Sequence, residues 1–252
     1  MFTSINPATG EAGTTFEALD DDAIEAALAR AQAAFRSWRV SDIAQRTTLL
    51  SAIADQFEAN KRHLAETATK EMGKTFASAI AEVEKCIAGF RHYAAKGPAY
   101  LEPVETKTAS GRAVGHWLPL GPILAVMPWN LPYWQVVRWL APTILAGNVG
   151  LLKHASLTQG CAALIQQMVT AAGAPDGLFQ NLAIKSDKVS RIIADKRAAA
   201  VTLTGSEGAG AKVAEGAGRA LKKVVVELGG SDPFIVMPSA HLDNAGAAAV
   251  RA

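Results

Sequence analysis

The sequence predicts an α/β fold, in which a parallel sheet follows a helical segment and a β-hairpin separates the two. From residue 119 onward, short apolar runs alternate with helical segments, which is the pattern of βαβ units around a buried parallel sheet. Residues 20–98 instead repeat their apolar side chains at helical spacing. Residues 104–118 alternate like strands around a Ser110-Gly111 turn, so we expect an exposed hairpin there.

The helical segment divides into four predicted helices. Residues 20–22 supply an N-cap and acidic first-turn charge for the first helix, and Ser41 is expected to cap the second. Gly73 is expected to end the third helix, and the pair Gly97-Pro98 the fourth. Three helices carry predicted buried stripes, with Cys86 beside the last of them: Ile24, Leu28, Ala31, Phe35 and Trp38, then Leu50, Ile53 and Phe57, then Ile80, Val83, Ile87, Phe90 and Ala94.

The second half alternates strands with helices. The predicted strands are residues 123–127, 149–152, 179–183, 200–203, 224–226 and 234–236. The predicted helices are residues 133–146, 158–172, 187–194, 207–217 and 242–251.

Composition excludes several classes of protein. The 252 residues carry 25 Lys and Arg against 23 Asp and Glu, so the net charge of +2 lacks the concentrated basic field that binds nucleic acid. Cys86 and Cys161 cannot build the disulfide framework of a small secreted domain. No apolar run reaches the ~20 residues of a membrane span, and the first residues lack the features of a signal peptide. We therefore expect a cytoplasmic protein without a membrane partner, a nucleic-acid partner or a bound metal.

Four features whose side chains could bind a ligand or take part in a reaction directly follow predicted strands, and open parallel sheets bind their ligands at the carboxyl ends of the strands. The first is residues 128–132, Pro-Trp-Asn-Leu-Pro, in which two prolines stiffen a turn that carries Trp129 and Asn130. An asparagine amide can donate a hydrogen bond to a developing oxyanion. A rigid turn with a buried tryptophan is the alternative, and the residue types alone slightly favour it.

The other three features also have plain alternatives. Lys153 can bind a ribose hydroxyl or a phosphate, although a lone lysine in a loop is more often solvated, and His154 is expected at the surface. Gly205 and Ser206 open a helix whose N-terminus can receive a pyrophosphate, but the spacing is neither G-x-G-x-x-G nor a P-loop, so a simple small-residue helix start stays open. Glu227 is either a general base or a solvated charge.

Together these features resemble the aldehyde dehydrogenase superfamily. The order and spacing over nearly the whole chain are similar to that family's signatures: Pro-Trp-Asn-x-Pro at 128–132, the Lys153 loop, Gly-Ser at 205–206 and Glu-Leu-Gly-Gly at 227–230. Ile-Asn-Pro-Ala-Thr-Gly at 5–10 and Glu-Met-Gly-Lys at 71–74 extend the resemblance. Within the superfamily, the sequence is most similar to succinate-semialdehyde dehydrogenases.

The resemblance implies a Rossmann-like, cofactor-binding domain. Residues 1–99 would be its N-terminal helical part, residues 100–118 an oligomerisation hairpin of a homo-oligomer, and residues 119–252 its core. The implied catalytic residues are Asn130, as the oxyanion-hole asparagine, and Glu227, as the base that activates the deacylating water. The implied cofactor-binding residues are Trp129 and Asn130 near the nicotinamide, Lys153 and Ser156 at the adenosine ribose, Gly205 and Ser206 near the pyrophosphate, and Leu228 through its backbone.

Two positions bear on specificity. NAD-preferring members of the family commonly carry Glu where this chain has Ser156, and a glutamate would repel a 2′-phosphate, so we expect NADP over NAD, with NAD possible. Arg138 matches a substrate-carboxylate arginine of succinate-semialdehyde dehydrogenases, and a guanidinium suits that role. A helix-surface arginine is the alternative. His154 replaces the usual proline of its loop.

The implied reaction is the oxidation of succinate semialdehyde, or a similar short carboxylated aldehyde, to the acid with NADP. The family's nucleophilic cysteine lies thirty-odd residues past the matching glutamate, whereas only 25 residues follow Glu227, and neither Cys86 nor Cys161 matches it. We therefore expect the catalytic domain to be missing from the sequence, and we expect the chain itself to bind cofactor weakly, if at all, and not to oxidise aldehydes. The alternative is a non-catalytic binding or interaction remnant of the family.

Overall fold

The structure, a computed structural model that describes residues 1–250, contains two small hairpins, a set of helices and a parallel sheet. The strands are β1 (Phe2–Ile5), β2 (Ala12–Phe16), β3 (Val104–Thr108), β4 (Gly111–Gly115), β5 (Pro122–Val126), β6 (Val149–Lys153), β7 (Phe179–Asn181), β8 (Ala200–Thr204) and β9 (Lys223–Glu227). The α-helices are α1 (Asp21–Trp38), α2 (Ile43–Ala59), α3 (Lys61–Met72), α4 (Phe76–Tyr100), α5 (Trp134–Leu145), α6 (Gln159–Ala171), α7 (Val189–Ala194), α8 (Glu207–Arg219) and α9 (Leu242–Ala249).

The parallel sheet has the strand order β7-β6-β5-β8-β9. The chain enters at the central strand β5, builds outward through β6 and β7, and then crosses to β8 and β9 on the other side. The strand order therefore reverses between β5 and β8, which makes this pair the switch point of the sheet. Right-handed crossovers place α5 and α6 on one face and α7 and α8 on the other.

Helices α2, α3 and α4 form an outer layer over α5 and α6. Their shared core contains Phe57, Phe90 and Tyr133, whose rings lie edge-on or tilted against one another with Phe57 in the middle. Helix α1 contacts β6 and is joined to the start of α7 by Asp21, which pairs with Lys188 and Arg191. The sheet is thereby covered on both faces, which explains why every residue of β6 is buried.

The predicted α/β class is confirmed, as are the parallel strands 123–127 through 224–226, the helices between them and the helical part before them. Asp20 caps α1 by accepting from the Ala23 N–H at 2.8 Å, and Gly73 ends α3 with φ +79°.

Strands β3 and β4 pair antiparallel and are exposed throughout, as expected of the 104–118 hairpin. Cys86 is buried in the core of α4, as its packing role requires. Among the described helices, none combines the length and apolar character needed to cross a bilayer.

Several predicted boundaries were wrong. The first third of the chain is not all helical, because residues 2–5 and 12–16 pair as the β1–β2 hairpin around a turn at Gly10, whose φ is +75°. Residues 234–236 form no strand and are exposed, because β9 ends the sheet and offers them no paired neighbour in the described part of the chain. Helix α9 lies at 242–249, and the predicted helical residue 251 falls outside the described residues.

Two residues or pairs predicted to mark helix ends do not do so: the pair Gly97-Pro98 does not end α4, and Ser41 does not cap α2. Helix α4 continues through Gly97 and Pro98 to Tyr100, because Pro98 lies so close to the helix end that its missing N–H removes only one hydrogen bond. Ser41 does not cap α2, since Asp42 takes the N-cap position. The Ser41 hydroxyl donates to the Trp38 carbonyl at 2.6 Å and accepts from the Nε of buried Arg46 at 3.0 Å.

Candidate functional site

The carboxyl ends of four parallel strands bring all four predicted features to one edge of the sheet. In the register of the sheet, Val126 lies beside Lys153 on one side and Leu203 on the other, and Thr204 lies beside Glu227. The 128–132 turn, the Lys153 loop, the Gly205-Ser206 helix start and Glu227 therefore follow neighbouring strands. This edge contains the switch point, where open α/β sheets bind ligands.

Lys153 faces the side of the sheet that carries α7 and α8. It lines a cavity of about 290 Å³, here named the lysine cavity, together with Val126, Ser190, Ile193, Leu203, Lys212 and Val213. Only 8% of Lys153 is exposed, and its ammonium makes no hydrogen bond or ion pair with any residue between 1 and 250. Burial lowers its pKa. A cation that is partly desolvated, unpaired among the described residues and open to a cavity can pair with an anion there, so this cavity favours an anionic ligand.

Glu227 faces the opposite side of the sheet, toward α5. It lines a groove of about 480 Å³, here named the glutamate groove, together with Met127, Arg138, Trp139, Thr202 and Thr204. Arg138 Nη2 donates to Thr204 Oγ1 at 3.0 Å and lies 3.8 Å from Glu227 Oε2. The glutamate is more than half exposed, so solvent screens this ion pair. The predicted base and the predicted substrate arginine thus lie together, on the face opposite Lys153.

The Gly205-Ser206 helix start joins β8 to β9 and α8. The Gly205 N–H donates to the Glu227 carbonyl at 3.0 Å, and Ser206 is the N-cap of α8, accepting from the Ala209 N–H at 3.4 Å. Leu228 packs on this helix at Gly210, where a Cβ atom would lie 2.5 Å from the leucine Cδ2. The Leu228 side chain therefore lies close to the backbone of α8, and a larger residue at position 210 would make it shift.

The 128–132 turn exposes Trp129 and Asn130 and is held at its end by a buried carboxylate. Glu82 Oε1, from α4, accepts from the N–H groups of Tyr133 and Trp134 at 2.8 and 2.9 Å. The other oxygen of Glu82 pairs with Lys74. An anion at a helix N-terminus satisfies its free amides and interacts well with its dipole, so Glu82 fixes where α5 begins.

Glu71, from α3, acts in the same way on α6. Its two oxygens accept from the N–H groups of Gly160 and Cys161, each at 2.9 Å. Burial raises the pKa of Glu71, and these two hydrogen bonds oppose that rise. Sequence reasoning gave no role to Glu71, Lys74 or Glu82. For Glu82 the signal was a glutamate inside the apolar stripe of the fourth predicted helix, which is an expensive placement unless the carboxylate has a fixed partner.

His154 is buried, so the prediction that it lies at the surface was wrong. Its ring is fully buried, with Nε2 2.9 Å from the Pro132 carbonyl and Nδ1 accepting from the Ala155 N–H at 2.8 Å. Thr158 Oγ1 also lies 2.8 Å from Nδ1. Because Nδ1 accepts from the backbone, the proton lies on Nε2 and is donated to Pro132, which describes a neutral imidazole. Burial lowers the pKa of His154 to about 4.

Ser156 lies on the same loop as Lys153 but lines a different space. It is exposed at the start of a one-turn 3₁₀ helix, Ser156–Thr158. With Trp129 and Leu157 it lines an opening of about 670 Å³ whose far side is formed by Phe2 and Ile5 of β1. The two residues predicted for the adenosine ribose are thus close in sequence, while their side chains border separate cavities.

Neither cysteine has the properties of a nucleophile. Both are free and buried, and burial raises the pKa of each thiol well above its usual value. A reactive cysteine needs the reverse, an accessible sulfur with a lowered pKa. In the part of the chain that the structure describes, no group of three or more His, Cys, Asp and Glu side chains is arranged to hold a metal ion.

Comparisons with known proteins agree with this architecture. The succinate-semialdehyde dehydrogenase [NADP(+)] 1 of Mycobacterium tuberculosis strain H37Rv is 52% identical over 250 residues, which cover 98% of this chain and 55% of that protein. The NADP(+) enzyme of Mycobacterium leprae is 49% identical with the same coverage. The chain therefore spans about half the length of these curated relatives.

Solved structures give the same result. The crystal structure of succinic semialdehyde dehydrogenase from Streptococcus pyogenes in complex with NADP+ superposes with a TM-score of 0.94 at 40% identity, covering 96% of this chain and 54% of that one. The succinate-semialdehyde dehydrogenase of Burkholderia pseudomallei gives 0.94 at 29% identity, covering 99% and 52%. A family profile described as "Aldehyde dehydrogenase family" matches residues 1–252. With this match and the fold, the chain belongs to the aldehyde dehydrogenase family.

Proposed function

We propose that this chain is the cofactor-binding part of an NADP-dependent dehydrogenase that oxidises succinate semialdehyde, or a similar short carboxylated aldehyde, to the acid. The observation that carries the proposal is Lys153, a largely buried side chain whose ammonium has no partner among residues 1–250 and lines an open cavity beside the switch point. The names of the relatives, which are NADP(+)-dependent succinate-semialdehyde dehydrogenases, support the same assignment.

The residues of the lysine cavity suit a phosphorylated dinucleotide. Lys153 and Lys212 offer two positive charges against the single carboxylate of Asp187. Ser206 and the first amides of α8 lie beside them at the same edge, and a helix N-terminus favours an anionic phosphate. When bound, NADP would accept the hydride from the substrate. Trp129 and Asn130 on the exposed turn would border its reactive end, and the Leu228 backbone would contact it there.

Cofactor choice is assigned to Ser156. A serine leaves room and a hydroxyl for a 2′-phosphate, whereas a carboxylate at this exposed position would repel it. Titration calorimetry of the 252-residue chain is expected to give tighter binding of NADP+ than of NAD+. Ser156→Glu is expected to weaken NADP+ binding roughly tenfold, about 1.4 kcal/mol, while the neutral Ser156→Gln variant weakens it much less. Equal losses in the two variants would contradict this assignment.

The glutamate groove is proposed as the place where the acid–base chemistry occurs. Glu227 would take a proton from water, the Asn130 amide would donate to the developing oxyanion, and Arg138 would bind the substrate carboxylate. Succinate, the expected product, can test the arginine by NMR saturation transfer on the intact chain. Arg138→Ala is expected to abolish the succinate signal, with the uncharged succinamide as the control ligand. A succinate signal that survives in the variant would exclude this role for Arg138.

The nucleophile of the proposed reaction is not assigned to this chain, because both of its thiols are buried and have raised pKa values. We expect the 252 residues alone to bind NADP+ without forming NADPH from succinate semialdehyde. The same two cysteines favour the second candidate, a non-catalytic binding or interaction remnant. The intact mass of the protein from its native source distinguishes them. A mass well above that of 252 residues favours the dehydrogenase, and a mass equal to it favours the remnant.

The same protein is proposed to be a homo-oligomer joined through the β3–β4 hairpin. Both strands are exposed along their whole length, and Trp117, Leu118 and Leu120 are exposed directly after them. A contiguous exposed apolar segment of this kind is typical of an interaction surface.

A further inference from the structure

Both ends of the 128–132 turn are bonded to two consecutive residues of the neighbouring loop. Before the turn, the Met127 N–H donates to the Lys153 carbonyl at 3.0 Å. At its end, the Pro132 carbonyl accepts from the imidazole of His154 at 2.9 Å. The exposed residues Trp129 and Asn130 lie between these two bonds. The loop that carries Lys153 therefore spans the base of the turn that carries Asn130.

The His154 ring joins the two loops because its two nitrogens face different segments. Nδ1 faces inward and accepts from the Ala155 N–H, with Thr158 Oγ1 also at 2.8 Å, so it organises the Lys153 loop itself. Nε2 faces outward to Pro132. Packing alone would need only an apolar ring, whereas here each nitrogen has a partner and the ring is fully buried.

The next residues along the chain are held from the other side. Glu82 accepts from the N–H groups of Tyr133 and Trp134, the two residues after Pro132. The start of α5 is therefore fixed independently of His154. Within the turn, the Leu131 carbonyl accepts from the Gln135 N–H at 3.1 Å, so the His154 bond is the contact that ties the end of the turn to the Lys153 loop rather than to α5. A change at residue 154 should thus alter the turn and leave the helix start in place.

We propose that His154 is a positioning residue that holds the Trp129–Asn130 turn against the Lys153 loop, so that a ligand bound in the lysine cavity also orders the turn. The second half of this statement rests on the proposed function, in which NADP occupies that cavity. The first half concerns the chain without ligand and can be tested separately.

The chain offers a matched pair of substitutions. The amide nitrogen of glutamine lies as many bonds from Cα as Nε2 of histidine, so His154→Gln keeps the donor to Pro132. The amide oxygen of asparagine lies as many bonds from Cα as Nδ1, so His154→Asn keeps only the acceptor within the Lys153 loop. The two variants therefore remove different halves of the same bridge.

The mobility of the turn can be measured on the intact chain by ¹⁵N relaxation in NMR, which does not require a hydrogen-bonded amide. Prolines 128 and 132 have no amide, so the turn is observed through the amides of residues 129, 130 and 131, with those of Tyr133 and Trp134, which donate to Glu82, as an internal reference. Without ligand, we expect the backbone order parameters of 129–131 to fall below about 0.6, the range of flexible backbone, in His154→Asn, while those of the wild type stay above it. His154→Gln should stay close to the wild type, and the reference amides should not change.

With saturating NADP+, the order parameters at 129–131 should rise in the wild type and His154→Gln, and should not rise in His154→Asn, although it still binds NADP+ in calorimetry. Equal order parameters in His154→Asn and the wild type without ligand would overturn the proposal. An equal fall in both variants would overturn it too, because the ring would then act only by packing. If the wild type binds no NADP+, the proposed function fails, and the ligand-free comparison still decides the role of His154.

Discussion

Lys153 combines two properties that oppose each other in an unliganded protein. Its ammonium is a good anion ligand, and it is also a partly desolvated charge without a partner among the described residues. Burial lowers its pKa, which reflects the desolvation that the folded chain tolerates. Such a residue costs stability when the cavity is empty and recovers that cost when an anion binds, so stability and affinity should respond to it in opposite directions.

Lys153→Met tests this opposition, because methionine keeps the aliphatic length and removes the charge. We expect the melting temperature of the free chain to rise by about 2–4 °C, which corresponds to roughly 1 kcal/mol in a protein of this size. NADP+ affinity should fall roughly 10- to 100-fold, the loss typical of a charged hydrogen bond. Lys212→Met, on the exposed wall of the same cavity, is the matched control. A lower melting temperature in Lys153→Met would contradict the argument.

His154 gives a stability difference with a defined pH window. Its folded-state pKa of about 4 lies below the usual 6.5, so the unfolded chain takes up the proton first. The contribution is fully present above pH 6.5 and is lost as the pH falls toward 4. The maximum loss is about 3 kcal/mol, from 1.36 kcal/mol for each unit of pKa.

Urea unfolding of the wild type and His154→Gln between pH 7 and pH 4 measures this loss. Carboxylates elsewhere titrate alike in both proteins, so their effect cancels in the difference. The two stability curves should converge as the pH falls. Curves that stay parallel would show that residue 154 does not titrate in this range.

At the level of elements, two buried glutamates determine where α5 and α6 begin. Glu82 carries a counter-ion, Lys74, whereas Glu71 accepts from two backbone N–H groups and from Cys161 and has no ion-pair partner among residues 1–250. Removal of one partner from a buried ion pair leaves the other charge uncompensated. The two caps should therefore differ in cost, although each accepts two amide hydrogen bonds.

Glu82→Gln is expected to lower the free energy of unfolding by about 3–5 kcal/mol, because it leaves the Lys74 ammonium unpaired. Glu71→Gln should cost only about 1–2 kcal/mol, since a neutral amide still accepts from the helix and the carboxylate itself is desolvated. Chemical denaturation measures both. The double variant Lys74→Met/Glu82→Gln should recover part of the loss, and strict additivity of the two single changes would contradict the pairing.

At the level of the whole molecule, the β3–β4 hairpin is the element least covered by the rest of the chain. If it joins subunits, a charge on its apolar extension should prevent association. Leu118→Asp combined with Leu120→Asp is expected to lower the mass measured by light scattering to that of one chain, with the melting temperature little changed. Val40→Asp, at an equally exposed site far along the chain, is the control. An unchanged mass in the hairpin variant would exclude the hairpin as the interface.

Most of the sheet could be predicted because its signals are local. The apolar runs and the capping residues, such as Asp20 and Gly73, act within a few residues of themselves, so the strand and helix assignments from 20 to 227 largely agree with the structure. The errors at β1–β2 and at 234–236 have the opposite cause. A segment forms a strand only if another strand lies beside it to accept its hydrogen bonds. The apolar run of residues does not itself show whether such a neighbouring strand is present.

The sheet edge at which the candidate residues lie was predictable, whereas their arrangement at that edge was not, and their roles stay predictions. The strand-end rule correctly placed Lys153 and Glu227 at one edge of the sheet. It did not show that Lys153 and Glu227 face opposite sides, because that depends on the register of each strand in the sheet. The prediction that His154 lies at the surface was wrong for a similar reason. Its partner Pro132 is 22 residues away in the sequence, so no local pattern indicates the bond between them.

The division of the edge into a lysine cavity and a glutamate groove has a consequence for how such a protein can change over evolutionary time. Substitutions that border one face of the sheet do not contact side chains on the other, and distant sites change in a nearly independent way. Under the proposed function, the preference between nucleotides can therefore change through substitutions around the lysine cavity while the residues of the glutamate groove stay the same, and the reverse also holds. Natural variation, or a protein engineer, can thus alter the two sides of this edge separately.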